Sequence, residues 1–307
     1  MYDVRLTRQL VDEGYGNGEI ARLTRLGALQ RIRRGAYDSP SSDPINGIES
    51  HRRLIHASKP YLARGSVVSH ASAAVLHGLV LYATRLDRVQ LTRPEVPGGK
   101  SRRLLDLHAA PLVPSEIVEV DGVLATSTAR TVADLARALP FEAAVVAGDS
   151  ALRAGLDRVE LWGCLERMHR WPGVIRARRV AAFIDGRSES AGESRSRAGL
   201  LQSGIAAPEL QLEVFDDYGR FAARVDFAWK QSRTIGAFDG KIKYGRELNP
   251  ANDSRDVVYQ EKLREDILRE LGWQMVRWTW ADLDHPDRIA ARLRRAFARS
   301  HTYRPQP

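Results

Sequence analysis

Val225-Asp226-Phe227-Ala-Trp229 and, a short turn later, Ile235-Gly-Ala237-Phe-Asp239-Gly240-Lys241 are the two segments on which the reading of this chain turns. Side chains alternate along a strand, so Arg224, Asp226 and Ala228 are expected on one face and Val225, Phe227 and Trp229 on the other. By the same rule Ala237, Asp239 and Lys241 share a face of the next strand. Asp226 and Asp239 can then converge on one point. Converging carboxylates hold magnesium, or manganese in its place, and the ion polarises a phosphate and helps to generate hydroxide. Lys241 would orient the water or neutralise the developing charge, and Glu193, on the preceding helix, could add a third acid from above. Position 237, on the same face, is alanine.

Each piece also has a plainer reading. Asp239-Gly240 is a common hairpin turn, Asp226 could pair with an arginine, and Glu193 with Arg197 one turn on is an ordinary helical ion pair. Their co-occurrence within one ordered set of elements weighs towards a site. That order is helix, three strands, helix, strand, helix. The spacing predicts a helix over 191–203 stopped by Gly204, and a strand alternating Leu210, Leu212 and Val214. Further on come a helix over 254–271 burying Val258, Leu263, Ile267 and Leu271, a strand over 273–280, and a last helix entered through Pro286.

Upstream, the polar, turn-rich run from Asp185 to Gly192 marks a boundary, giving an expected domain over 186–307. Residues 66–185 read as a linking α+β domain. A short helix over 70–77 follows Ser69, Val89 and Leu91 alternate in a strand, and Asp121-Gly122 centres a hairpin. Helices are expected over 127–139, 141–154, 157–169 and 174–184. Nothing in this domain assembles a catalytic set. Residues 1–65 read as a winged helix: Leu6, Leu10 and Val11 in a helix closed by Gly14, Ile20, Leu23 and Leu26 in a second closed by Gly27, then a basic strand and turn. A third helix is expected from Asp43-Pro44. Between Arg22 and Tyr37 stand Arg22, Arg25, Arg31, Arg33 and Arg34 with no acid among them, a density suited to phosphate contacts.

The chain has 307 residues, room for two or three compact units, and a formal charge of +9 that favours an anionic partner. Six of its 47 basic residues are lysine, and three of those, Lys230, Lys241 and Lys243, cluster around the acid pair. No run approaches the roughly 20 apolar residues of a membrane helix, and no signal peptide opens the chain, so a cytoplasmic protein is expected. Cys164 is the single cysteine, which excludes internal disulfides and cysteine-rich zinc sites. The eight histidines show no helical zinc pair, and His70 and His77 read as packing or capping residues. Trp273, Trp278 and Trp280 read as core. The arginines from Arg288 to Arg299 read first as a solvated helix face and second as phosphate contacts, and Lys100-Ser-Arg102-Arg103 as a loop contact or a merely solvent-exposed loop.

The segments Glu193-Ser-Arg195, Pro208-Glu-Leu-Gln211, Arg224-Val-Asp226-Phe, Phe238-Asp239-Gly240-Lys241 and Gly272-Trp-Gln-Met-Val-Arg277-Trp resemble small domains of the restriction-endonuclease-like superfamily, similar to very-short-patch-repair endonucleases. The resemblance implies an αβββαβ core and a magnesium- or manganese-dependent site that draws on Glu193, Asp226, Asp239 and Lys241. In such domains the segment that ends in Asp239-Gly240 here usually reads Glu-x-Asp-Gly, so Ala237 stands where a glutamate ligand is expected. Persistence of the other four favours an inactivating substitution in an otherwise intact site over a decayed one. Gly27-Ala-Leu-Gln-Arg-Ile-Arg-Arg-Gly35-Ala-Tyr37, Ser69-His-Ala-Ser-Ala-Ala-Val-Leu-His77-Gly78-Leu and Thr126-Ser-Thr-Ala-Arg130-Thr-Val-Ala-Asp134-Leu-Ala-Arg resemble AbiEi-family antitoxins of type IV toxin–antitoxin systems. The two resemblances imply a DNA-binding protein, RNA remaining open, with an endonuclease-type domain in phage defence. The alternative is an antitoxin that represses its own operator and meets a cognate toxin, its nuclease scaffold degenerate.

Overall fold

The computed structural model describes residues 4–40, 46–94, 98–240 and 254–302, with side chains omitted at 254–261 and 300–302. The chain divides into two compact units, the first comprising Met1–Ala147 and Ala154–Ala182 and the second Gly148–Arg153 and Phe183–Pro307. Both are mixtures of α and β structure. Among the described residues no helix is long and apolar enough to cross a membrane.

The first unit opens with β1 (Arg5–Leu6), α1 (Thr7–Asp12), α2 (Asn17–Arg25), β2 (Gln30–Arg33) and β3 (Ala36–Asp38), and the three strands form a sheet in the order β1-β3-β2. Gly35, at φ 84°, makes the turn between β2 and β3. Leu10 of α1 and Ile20 of α2 are buried together with Leu29, which precedes β2, whereas Val11 and Leu26, expected inside, are 48% and 68% exposed.

Then follow α3 (Gly47–Ser58), β4 (Val67–Val68), α4 (His70–Leu76), β5 (Val89–Arg93), β6 (Lys100–Arg102), β7 (Leu105–Ala109), β8 (Ile117–Val120) and β9 (Val123–Thr126). Asn46 caps α3 by accepting the Glu49 N–H; the Asp43-Pro44 start expected from sequence lies outside the described residues. The strands form a mixed sheet in the order β6-β7-β5-β4-β9-β8. Asp121 and Gly122, both at positive φ, close the β8–β9 hairpin as its twist requires. Four helices follow: α5 (Thr128–Ala138), α6 (Phe141–Arg153), α7 (Arg158–Arg167) and α8 (Val174–Phe183).

The second unit continues with α9 (Ala191–Gln202), β10 (Glu209–Phe215), β11 (Phe221–Trp229), β12 (Thr234–Asp239), α10 (Ser254–Glu270), β13 (Gln274–Thr279), α11 (Trp280–Leu283) and α12 (Pro286–Thr302). The strands pair in chain order, β10–β11 and β11–β12 antiparallel and β12–β13 parallel. Because β12 and β13 run parallel, Asp239-Gly240 makes no hairpin between them. Both sheet faces are buried. Phe227, Trp229, Val276 and Trp278 pack with Leu200 of α9 and Ile289 and Leu293 of α12, while Val225, Ala228 and Ile235 pack with Leu268 of α10. Leu268 thus carries the inward face of α10, and Leu263 and Ile267, expected to do so, are 39% and 41% exposed; the Val258 side chain lies outside the described residues. Two glycines set the layer spacing. A Cβ on Gly192 would stand 1.9 Å from the Phe238 ring and one on Gly236 2.4 Å from the Trp278 ring, so α9 lies directly on β12 and Trp278 directly on the strand backbone.

Candidate functional site

The alternation expected across Asp226 does not hold. Phe227 and Trp229 face α9 and α12, but Val225 joins Ala228 and Ile235 on the α10 side. The strand switches face at Asp226, and its partner strand switches with it. Leu210 packs on the α9 side and Leu212 against the α10 side, with Gln211 between them at φ 53°. A left-handed residue inside a strand marks an irregularity, and the register sets Gln211 opposite Asp226, between the pairs Leu210–Phe227 and Leu212–Val225.

The same point is where two strands part. The β11–β12 ladder runs from Trp229–Thr234 to Phe227–Gly236 and stops, while β12 keeps its pairing with β13 through Asp239–Thr279. Asp226 bridges the fork: its Oδ2 accepts the Phe238 N–H at 3.0 Å. A cavity of about 490 Å³ opens on the α10 side, with Asp226, Ala237 and Asp239 together on its wall and Arg224, Arg264 and Arg277 around them. Glu265 of α10 closes one side, paired with Arg277 at 3.2 Å and with Arg269. Asp226 and Asp239 thus border one space, with Ala237 beside them. Lys241 lies outside the described residues.

Burial pushes the Asp226 carboxyl up to about 6, assisted by the negative charges of Glu193 and Glu189 and opposed by the Phe238 hydrogen bond. Glu193 is not on the cavity wall. It is buried at the start of α9, where Oε1 accepts the Ser190 hydroxyl at 2.7 Å and Oε2 accepts the Glu189 N–H at 2.9 Å and the Gln211 side-chain amide at 3.0 Å. Its charge acts on Asp226 from the α9 end, and Gln211, which it binds, stands opposite Asp226 in the irregular strand pair. The expected Glu193–Arg197 ion pair is absent. Arg197 instead reaches Asp149 at 2.8 Å and the Phe183 carbonyl at 2.6 Å, and Ser190 with Gln211 satisfies Glu193.

In the first unit, Arg25, Arg31 and Arg34 are exposed, and Arg22 is exposed beside Glu19 at 3.8 Å. Arg33 is turned inward, donating to the Ser58 hydroxyl at 2.9 Å with its guanidinium 4.5 Å from the Tyr61 ring centre. Four of the five predicted phosphate contacts therefore stand at the surface, and the fifth ties the hairpin to α3. In the C-terminal helix Arg292 pairs with Asp282 and Arg294 with the Ser203 carbonyl, so that run is partly structural.

Sequence reasoning missed three groups. Glu265 and Arg277 flank the cavity, but an acid on an amphipathic helix gives no local signal of what it faces. A buried network joins Arg130 to Glu116 at 2.6 Å and to Asp134 at 2.8 Å, with Arg167 and Arg137 on its edges. Arg130–Asp134 is visible as a one-turn spacing; Glu116 is not. His70 stacks on His108 with ring centres 3.8 Å apart, whereas His77 is the packing residue expected, its Nε2 bonded to the Thr126 carbonyl at 2.7 Å.

No protein-family model matches the chain. The crystal structure of the Rv2827c protein from Mycobacterium tuberculosis aligns with 71% of this chain and 85% of its own at 14% identity and a TM-score of 0.40, a likeness too slight to carry an argument. Two curated relatives are closer in sequence: uncharacterized protein Rv2248 of M. tuberculosis strain H37Rv and uncharacterized protein MT2308 of strain CDC 1551. Each is 32% identical over 233 residues, which make up 75% of this chain and 83% of the relative. At that identity and coverage, the chain belongs to the same protein family as Rv2248 and MT2308.

Proposed function

We propose that this protein binds nucleic acid and that its second unit carries a metal-dependent endonuclease-type site, impaired at Ala237, serving bacterial defence or a toxin–antitoxin system. The observation that carries the reading is the shared cavity of Asp226, Ala237 and Asp239 at the fork of β11 and β12. Magnesium keeps several waters and is commonly bound through one or two carboxylates together with substrate phosphate. Asp226 and Asp239 fit that minimal set, and the methyl of Ala237 adds nothing to it. A bound ion would polarise the phosphate and activate water. The chain's own residues do the rest. The Phe238 N–H holds Asp226 in place, and Arg264, with Arg224 and Arg277 that pair with Glu189 and Glu265, would bring guanidiniums to a phosphodiester.

The test is Ala237→Glu, assayed with Mg²⁺ and Mn²⁺ on single- and double-stranded DNA and RNA, with Asp226→Asn in the same background as control. Metal-dependent cleavage that vanishes in the double variant supports the reading. A folded Ala237→Glu protein that binds neither ion and cuts no substrate rejects it. A second reading, an AbiEi-type antitoxin and autorepressor whose second unit is a degenerate scaffold, is favoured by Ala237 itself and by the exposed Arg31 and Arg34 of the β2–β3 hairpin. It expects tight operator binding with no divalent-ion dependence.

A further inference from the structure

A second cavity, of about 480 Å³, lies wholly within the first unit, lined by His70, His108, Asp134, Arg137 and Trp171. Three features set it apart from a packing defect. His70 enters α4 at φ 51°, a left-handed conformation that a β-carbon disfavours and that persists where the surroundings impose it. The turn lays its imidazole flat on His108, with Nδ1 3.0 Å from the Ser69 hydroxyl. His108 Nε2 is buried and without a hydrogen-bond partner. Burial drives both rings towards the neutral form, His70 down to about 4.

The charges beside this pair do not balance. Glu116 is shared by Arg130 and Arg167, and Asp134 by Arg130 and Arg137. Two carboxylates thus serve three guanidiniums, and the nearby Asp106 is engaged by Arg88 at 3.2 Å. Arg130 and Arg137 both lie over the ring of Trp171, at 5.1 and 4.9 Å. Arg137, at the cavity side, shares Asp134 with Arg130 and donates Nε to the Pro172 carbonyl at 3.0 Å, and its pKa is lowered chiefly by burial. An arginine excess next to an unsatisfied imidazole nitrogen is complementary to a small oxyanion. Two histidines face to face offer it donors without adding two charges.

We infer that this cavity binds a small organic oxyanion of up to nucleotide size, its phosphate or carboxylate head against Arg137 and the His108 Nε2–H. The site is independent of the endonuclease reading, because every residue in it belongs to the first unit. Binding fixes the His108 tautomer with its proton on Nε2 and supplies the negative charge that the network lacks.

The test uses the full chain and imidazole-selective NMR, titrated separately with inorganic phosphate, adenosine 5′-monophosphate and acetate. The expected result is a saturable shift of the His70 and His108 ring resonances with at least one probe. Response to phosphate and the nucleotide but not acetate assigns a phosphate head, and response to acetate assigns a carboxylate. Arg137→Ala should weaken binding at least tenfold and Arg137→Lys recover part of it. His108→Phe, which keeps the stack but removes the nitrogen, should weaken binding similarly while leaving the folded spectrum otherwise intact. Absence of a saturable response to all three probes up to tens of millimolar, or equal binding by wild type and His108→Phe, overturns the inference.

Discussion

Asp226 Oδ2 accepts the Phe238 N–H at 3.0 Å, one step beyond the last ladder pair, Phe227 with Gly236. A side chain thereby replaces a backbone carbonyl as acceptor, and the strands can separate without orphaning the Phe238 amide. That geometry holds a carboxyl in a half-closed space, which sets up the first prediction. The carboxyl titrates near 6 in the folded protein against an ordinary value of 3.8, so the folded state binds the proton more tightly than the unfolded chain. The stability penalty is absent below about pH 4, grows between pH 4 and 6, and is complete above it. Asp226→Asn keeps an acceptor for Phe238 and should stabilise the protein at pH 8 by on the order of 2 kcal/mol, with almost no gain at pH 4. Urea unfolding at the two pH values measures this. An equal gain at both would show that the carboxyl is not the source.

Divalent-ion affinity should follow the donor count. The wild type is expected to bind Mn²⁺ weakly, and Ala237→Glu at least tenfold more tightly, since one added carboxylate in the cavity is worth about 1.4 kcal/mol or more. Affinity in both should fall as pH drops through 6, where Asp226 takes up its proton. Calorimetry at pH 5.5 and 7.5 reads both effects.

The basic hairpin separates surface from support. Charge reversal at Arg31 and Arg34 should weaken nucleic-acid binding and reduce the slope of log K against log salt by about 1 for each phosphate no longer neutralised. Arg33→Ala should leave that slope nearly unchanged and instead destabilise the first unit, because its guanidinium is spent on Ser58 and Tyr61. Fluorescence anisotropy over a salt series, paired with thermal melts, distinguishes the two outcomes.

Gly192→Ala places a methyl inside the Phe238 ring envelope, and that ring is itself set edge-on to Trp280 at 5.1 Å. Helix α9 must lift from β12, at a cost of about 1–3 kcal/mol. Adding Phe238→Leu should recover much of the loss, a non-additive pair that a double-mutant cycle detects. Additive losses would mean that the helix tolerates the methyl by shifting elsewhere.

What could be read from residues alone was largely local. Strands about Leu210–Val214 and Val225–Trp229, the helix stopped at Gly204 and the Asp121-Gly122 hairpin were expected from composition and turn chemistry, and strands, helix and hairpin occur at those places. That Asp226 and Asp239 border one space could be proposed because both lie on strands. The face switch at Asp226 was not, since alternation assumes a regular strand and nothing in a glutamine announces the left-handed backbone of Gln211. Partners distant in sequence were also hidden. Arg197 prefers Asp149 to a glutamate one turn away, and Glu116 meets Arg130 from a different element. In α10 the apolar pattern did not separate Leu268, which is buried, from its neighbours Leu263 and Ile267, which are not.

Asp149 bears on how this architecture can be cut. It accepts the Asp185 N–H at 2.7 Å and the Arg197 guanidinium at 2.8 Å, and it arrives on a segment, Gly148–Arg153, that Ala154–Ala182 separates from the body of its unit along the chain. A fragment starting at Phe183 would carry the whole sheet yet strand Arg197 without its counter-ion. The second unit is therefore no portable cassette: any transplant, truncation or fusion that keeps Arg197 paired must bring the end of α6 along.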